Sequence, residues 1–153
     1  MKESFQTQFD HINQIYHSYD RLYHDLAGCF SLSDSTLSVL YAIDRLPSPC
    51  TPKYICDYLF CNKQTVHSSL KSLEAAEYLR IEPSPENHRN RLVFLTEKGR
   101  KLTAETVRKV INIEAAAFAF LSEEERETLI RLEKKQLDFF RGEVNALCGK
   151  TEE

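Results

Sequence analysis

A stretch that begins at Asn62 carries polar and basic side chains that could contact a nucleic acid. They recur at helical spacing and are Lys63, Gln64, Thr65, His67, Ser68 and Lys71. Glutamine can pair with adenine, threonine can touch a thymine methyl, and lysine can reach guanine or phosphate. Val66, Leu70 and Leu73 fall on the opposite face and are expected to pack in a core. Such a pattern usually indicates only a solvated helix face. The elements around it must therefore decide between a solvated face and a nucleic-acid contact.

A second candidate contact lies about twenty residues downstream. Arg89 and Arg91 follow Asn87 and His88 in a segment rich in proline and other turn residues. Arginine suits a narrow minor groove, whose negative potential attracts it. The alternative is a solubilising loop, and Arg91 is the weaker candidate because it falls close to the predicted strand.

The elements that would position these residues follow a recognisable order. Thr51 is a helix cap and Pro52 suits the first helical position, so the pair predicts a short helix that ends at Leu59. Asn62 then caps the next helix, to about Ala76. Short apolar strands are predicted at Leu79–Ile81 and Leu92–Leu95. Helix, turn, helix and β-ribbon is the order of a winged helix-turn-helix.

Helices are also predicted on both sides of this lobe. Ser33 caps one that ends at Leu46, before Pro47, and Thr96 is expected to cap one that runs to about Phe120. Ser122 and Glu125 form a capping box that opens the last helix. Its apolar face consists of Leu129, Ile130, Leu132, Leu137, Phe140, Val144 and Leu147.

The first predicted helix has an apolar seam with steps of three and four residues. The seam consists of Phe5, Phe9, Ile12, Tyr16, Tyr19, Tyr23, Leu26 and Phe30. A helix from Phe5 to Ala27 would be roughly 35 Å long. It is too long and too aromatic for a core this small to cover, so we expect it to pack against another chain.

Length and charge fit a single domain with a local basic patch. The chain has 153 residues and a net charge of −3. Between Asn62 and Lys101, eight basic and five acidic residues give +3, which leaves −6 elsewhere. The field of the contacting face governs phosphate binding, so the distribution supports nucleic-acid binding mildly. We find no apolar run of about 20 residues and no secretory signal, which predicts a cytoplasmic location.

The five cysteines show no Cys-x-x-Cys spacing and are expected to be thiols. They are Cys29, Cys50, Cys56, Cys61 and Cys148. Cys29 and Cys61 are open to a redox-sensing interpretation, but no neighbouring residue clearly lowers a thiol pKa, so inert thiols are favoured. Packing best explains Cys56.

Other polar clusters give weaker signals. His17 and His24 are separated by a rise of roughly 10.5 Å and cannot ligate one ion that needs ligands at ~2 Å. Asp20 with either histidine would need help from another segment, so we predict no metal. Tyr16, Tyr19 and Tyr23 could orient a small ligand, although an aromatic core explains them more simply. No phosphate loop, nucleophile elbow or Cys-His arrangement indicates an enzyme or a cofactor.

The middle third of the sequence resembles the MarR family of bacterial transcriptional regulators. The matching pieces are Thr51-Pro-x-x-Ile-x-x-x-Leu59, Gln64-Thr-Val66, Leu73-Glu74, the Asn-x-Arg that ends at Arg89, and Leu95-Thr-Glu-Lys-Gly-Arg-Lys-Leu102. The resemblance implies a dimer with intertwined terminal helices and two DNA-binding lobes. It also implies repression that a small molecule or cysteine oxidation often relieves.

Three positions differ from the usual pattern of that family. Asn87 stands where an aspartate braces the wing arginine, and Ser68 stands where a basic residue is frequent. Glu77 stands where a glycine usually ends the recognition helix, at a site expected to need a positive φ, which predicts a differently shaped helix end here.

These observations predict a mainly α fold with a small β-wing (α+β) in a single domain over 1–153. Residues 5–30 and 121–148 would form dimerisation helices, and residues 33–101 the DNA-binding lobe. The function predicted is a homodimeric regulator, a repressor by expectation, that binds a pseudo-palindromic operator in double-stranded DNA and responds to a small-molecule effector. The alternative is a protein-interaction or ligand-sequestering module without DNA binding, which Ser68 and the modest local charge keep open.

Overall fold

The computed structural model describes residues 3–149. Its elements follow in the order α1 (Phe5–Cys29), α2 (Asp34–Arg45), α3 (Pro52–Leu59), α4 (Lys63–Ala75), β1 (Leu79–Pro83), β2 (Arg91–Leu95), α5 (Glu97–Glu105), α6 (Val107–Ala119) and α7 (Glu123–Cys148). The predicted mainly helical fold with a small two-stranded antiparallel sheet is confirmed.

The predicted helix starts are confirmed by their hydrogen bonds. In each case a side-chain oxygen accepts from a backbone N–H of the first turn, which satisfies a donor that the helix itself leaves unpaired. The capping residues are Ser33, Thr51, Asn62, Thr96 and Ser122. Ser122 and Glu125 form the predicted capping box. The hydrogen bond that the Ser122 N–H donates to the Glu125 carboxylate is the main cause that holds the pKa of Glu125 below its ordinary value.

The core of the lobe lies among α2, α3, α4 and the wing. Its buried side chains include Leu40, Ile55, Val66, Leu70, Leu79 and Val93. Val66, Leu70 and Leu73 are buried, so their assignment to the core is confirmed. The side of α4 that carries them therefore packs inward together with Ser69, and most of the polar residues of α4 face solvent.

The wing is an antiparallel pair of strands with a one-to-one register. Leu79 pairs with Leu95, Ile81 with Val93, and Pro83 with Arg91. Both strands extend further toward the tip than the apolar residues alone predict. Arg91 consequently lies in a strand rather than in the loop.

One predicted element was wrong, because the helix capped by Thr96 does not run unbroken to Phe120. It breaks at Thr106, where φ is −121° and ψ is −80°, and continues as α6. The Thr106 hydroxyl is buried and donates to the Leu102 carbonyl at 2.7 Å. Such back-bonding by threonine bends a helix, and apolar periodicity gives no sign of it.

The chain forms two compact units, one up to Val110 and one from Ile111. In the first unit, α1 buries only Ala27 and exposes Phe5, Phe9, Tyr19 and Leu22. In the second unit, α7 buries no residue at all. Each helix therefore has an apolar face that its own unit leaves uncovered.

Within residues 3–149, no single helix is long and apolar enough to cross a membrane. Taken together, α1 and α2 have the length and apolar composition of a span, but a bend of 90° separates them.

The end of α4 keeps the conformation of a helix that ends in glycine, so the different shape expected with Glu77 at this position was wrong. The φ of Glu77 is +61°, and Tyr78 N–H donates to the Leu73 carbonyl at 2.9 Å, as at helix ends where glycine is common. A side chain at positive φ is strained by contact of its Cβ with the backbone.

We predict that Glu77→Gly stabilises the protein. Relief of the left-handed strain outweighs the added entropy of the unfolded chain, with a net gain of about 0.5–1 kcal/mol. The melting temperature should then rise by roughly 1–4 °C. Glu77→Ala is the control: it removes the same carboxylate but keeps Cβ, so it should bring no comparable gain. If both variants gain the same stability, the effect comes from loss of the carboxylate charge and not from relief of backbone strain.

Candidate nucleic-acid interface

Five of the six α4 candidates have exposed side chains. They are Lys63, Gln64, His67, Ser68 and Lys71. Because Val66, Ser69, Leu70 and Leu73 are buried on the other side, α4 presents a polar face in a fixed rotation about its axis. A helix seated in this way can insert its exposed face into a major groove.

Thr65 differs from its neighbours on α4. Its side chain is half-buried, and its hydroxyl donates to Asn62 Oδ1 at 3.1 Å while its N–H donates to the same oxygen at 2.9 Å. The hydroxyl therefore serves the helix cap. The methyl group is the part of Thr65 left for an apolar contact.

The far end of α4 is fixed to the wing and to α5. Glu74 Oε1 accepts from Ile81 N–H at 3.1 Å, which ties the helix to β1. Lys98 donates to the Ala76 carbonyl at 2.8 Å, and its Nζ lies 4.8 Å from the centre of the Tyr78 ring. These contacts set the distance between the α4 face and the wing.

The wing tip places an exposed arginine on a braced turn. Asn87 Oδ1 accepts from Arg89 N–H at 3.0 Å, and Asn90 N–H donates to the Asn87 carbonyl at 2.8 Å. Asn87 thus braces the backbone at Arg89 and not its guanidinium. Within the described part of the chain, neither Arg89 nor Arg91 forms an ion pair, and both side chains are exposed.

Arg80, on the same wing, differs from Arg89 because neighbouring side chains hold it in place. Its Nε lies 2.9 Å from Glu82 Oε1, and its guanidinium is 5.0 Å from the centre of the Phe94 ring. The charge of Arg80 is partly compensated and its orientation is fixed. Arg89, at the tip, keeps a charge that can reach an external phosphate or a groove.

The remaining candidate residues lie away from this face. Tyr16, Tyr19 and Tyr23 are exposed on α1. The open groove nearest to them in sequence, of about 450 Å³, is lined by residues of α1 and the start of α2: His24, Gly28, Leu32, Ser33, Asp34 and Ser35. His24 Nδ1 lies 3.1 Å from Asp34. None of the three tyrosines lines that groove.

The cysteines are all free thiols. Burial raises the pKa of Cys50, and burial is also the main cause that raises the pKa of Cys56. A raised pKa lowers the fraction of reactive thiolate at neutral pH. Cys29 and Cys148 are exposed.

Sequence reasoning missed Phe60, in the turn between α3 and α4. Its φ is +50°, and 96% of the side chain is exposed. The signal available in the sequence is its position directly after a helix end, where the left-handed conformation is common. A phenylalanine gives no reason by itself to expect that conformation.

Comparison with known proteins supports the winged-helix assignment. A MarR family model matches residues 30–90, whereas no curated protein sequence matches the chain. A MarR family regulator from Neisseria meningitidis, NMB1585, is 19% identical, with 91% of this chain and 97% of that chain covered and a TM-score of 0.75.

Two further solved structures are similar. Staphylococcus aureus MarR, in complex with salicylate and kanamycin, is 22% identical over 90% of this chain and 93% of that one, with a TM-score of 0.69. Bordetella bronchiseptica BpsR, whose DNA binding is regulated by 6-hydroxynicotinic acid, is 24% identical over 90% and 99%, with a TM-score of 0.68. The resemblance to the MarR family is confirmed over residues 30–90, and the fold over most of the chain.

Proposed function

We propose that this chain, which has the fold of the MarR-family transcriptional regulators, is a homodimeric DNA-binding regulator that represses transcription. The observation that carries the proposal is the fixed polar face of α4 beside a braced, uncompensated wing arginine. In this account α4 enters the major groove and the wing tip enters the adjacent minor groove.

The dimer follows from the uncovered apolar faces of α1 and α7. Monomeric proteins rarely expose contiguous apolar patches larger than a few hundred Å². On α7 the exposed residues are Leu129, Ile130, Leu132, Leu137, Phe139, Phe140, Val144 and Leu147. A second copy of this chain would cover such a face, with more than about 2,000 Å² buried in total as in obligate dimers.

Two-fold symmetry of the protein implies a pseudo-palindromic operator. Two α4 helices spaced by roughly 34–36 Å would dock in successive major grooves. A small molecule that binds the dimer better at one spacing of the two α4 helices than at another would shift it between DNA-bound and DNA-free forms. The relatives that bind salicylate or respond to 6-hydroxynicotinic acid make an aromatic acid a reasonable effector to test first.

The experiment that tests the proposal is selection of bound duplexes from a random-sequence library. We expect enrichment of an inverted repeat, and we expect the affinity for it to fall as the salt concentration rises. Absence of any enriched duplex, with salt-independent residual binding, would favour the alternative of an interaction module without DNA binding.

We predict that Arg89→Ala weakens binding to the selected duplex by roughly 1–3 kcal/mol, or about 5- to 150-fold. The dimer and its melting temperature should stay nearly unchanged, because the side chain makes no ion pair within the described residues. Arg80→Ala is the matched control on the same wing; its guanidinium is held by Glu82 and Phe94. Unaltered affinity in Arg89→Ala would remove the wing tip from the mechanism.

We further predict that Gln64 and Lys71 separate base readout from phosphate contact. Gln64→Ala should lower the ratio of specific to non-specific affinity and barely change the salt dependence. Lys71→Ala should reduce the slope of log K against log salt by about 0.9 if it meets a phosphate. Titrations of selected and scrambled duplexes at several salt concentrations measure both. Equal weakening of both duplexes by Gln64→Ala would contradict base readout by this face.

A further inference from the structure

Phe60 combines two features that are unfavourable for folding. Its φ of +50° brings Cβ against the backbone, and 96% of its side chain is in contact with solvent. Glycine at this position would avoid both the strain and the exposed ring. Backbone strain at a residue whose side chain packs against nothing is a reason to look for a function of that residue.

Phe60 also stands apart from the other very exposed apolar residues. Phe5, Phe120 and Leu147, each at least 79% exposed, belong to α1 or to the unit from Ile111, where a second copy would cover apolar surface. Phe60 belongs to the turn between α3 and α4. It is two residues before Asn62, the cap of α4.

Phe60 lies close along the chain to the first turn of α4. Three peptide units separate it from Lys63, so their Cα atoms are at most about 11 Å apart. The neighbouring turn atoms are fixed, because Phe60 and Cys61 N–H groups both donate to the Cys56 carbonyl at the end of α3. The ring therefore projects from a rigid turn beside the first turn of α4.

We propose that Phe60 is a specificity-determining residue whose ring packs against the C5-methyl group of a thymine at the edge of each half-site. The inference rests on the proposed DNA binding. In the major groove, the thymine methyl is the apolar feature that distinguishes this base, and phenylalanine is suited to contact it. Burial of the ring on DNA recovers the apolar surface that the free protein leaves exposed.

The first test compares Phe60→Gly with wild type on the duplex that wild-type protein selects from a random library. We expect affinity to fall roughly five- to tenfold, as for loss of one base contact, while the melting temperature stays the same or rises. Phe60→Leu, which keeps an apolar side chain, should retain most of the affinity. Ser31→Gly relieves the same kind of strain at φ +57°, between α1 and α2, and should not change affinity.

The second test replaces individual thymines of that duplex by deoxyuracil, which removes only the methyl group. One position in each half-site should weaken wild type but not Phe60→Gly, because the variant has already lost the contact. Additive losses at every position, or a Phe60→Gly variant that binds like wild type, would overturn the inference. If Arg89→Ala still weakens binding in that case, only the role of Phe60 fails; if wild type selects no duplex, the proposed function fails with it.

Discussion

Gly99→Ala is expected to destabilise the lobe by more than about 3 kcal/mol, a large part of the 5–15 kcal/mol typical of a folded domain. A Cβ at Gly99 would lie 1.8 Å from the Tyr78 carbonyl oxygen and 2.9 Å from its carbon, both backbone atoms. The start of α5 and the start of β1 would have to separate. Chemical denaturation followed by circular dichroism measures the loss.

The surrounding hydrogen bonds leave little room for that separation. Thr96 N–H donates to the Tyr78 carbonyl at 3.1 Å, and the Thr96 hydroxyl donates to the Glu77 carbonyl at 2.7 Å. Gly28→Ala is the control, because a Cβ there meets nothing within 4 Å. Equal stability of Gly99→Ala and wild type would mean that α5 does not approach β1 as closely as described.

Phe140→Asp is expected to weaken self-association at least 100-fold, which corresponds to about 3 kcal/mol. Phe140 is 64% exposed in a single chain, so a charge there should cost a monomer little. At a covered interface, the same carboxylate would be buried without a partner, which is strongly unfavourable. Sedimentation at several protein concentrations measures the dissociation constant.

Arg131→Asp supplies the control for added negative charge on α7. Its helical position is about opposite to Phe140, on the polar side, so the dimer should persist. If Phe140→Asp associates as wild type does, α7 is not part of the interface. If wild type is a monomer at all concentrations, the homodimer itself is wrong.

The helix starts and the lobe core were predictable because their signals are local. Capping residues precede apolar periodicity at Ser33, Thr51, Asn62 and Ser122, and each predicted cap forms. The positive φ at Glu77 was not predictable from its residue type, because glutamate favoured a differently shaped helix end.

Other features depend on contacts that the sequence pattern does not encode. The bend at Thr106 arises from one hydroxyl that bonds to its own helix, and threonine occurs in unbroken helices as well. The resemblance implies an aspartate that braces the wing arginine at the position of Asn87, but the sequence does not show what an asparagine does there. Its side-chain oxygen Oδ1 accepts from the backbone N–H of Arg89, two residues on, as in an Asx turn. The role of Thr65 in the cap similarly emerges only from the geometry around Asn62.

In the proposed complex, two copies of α4 and two wings bind one duplex. This arrangement can be tested by footprinting of the selected duplex, with hydroxyl radicals for the minor groove and methylation of guanine N7 for the major groove. We expect two major-groove contacts centred about 10–10.5 base pairs apart. We also expect outer minor-groove protections that disappear in Arg89→Ala while the major-groove contacts remain. A single protected half-site, or minor-groove protection unchanged in Arg89→Ala, would contradict this arrangement.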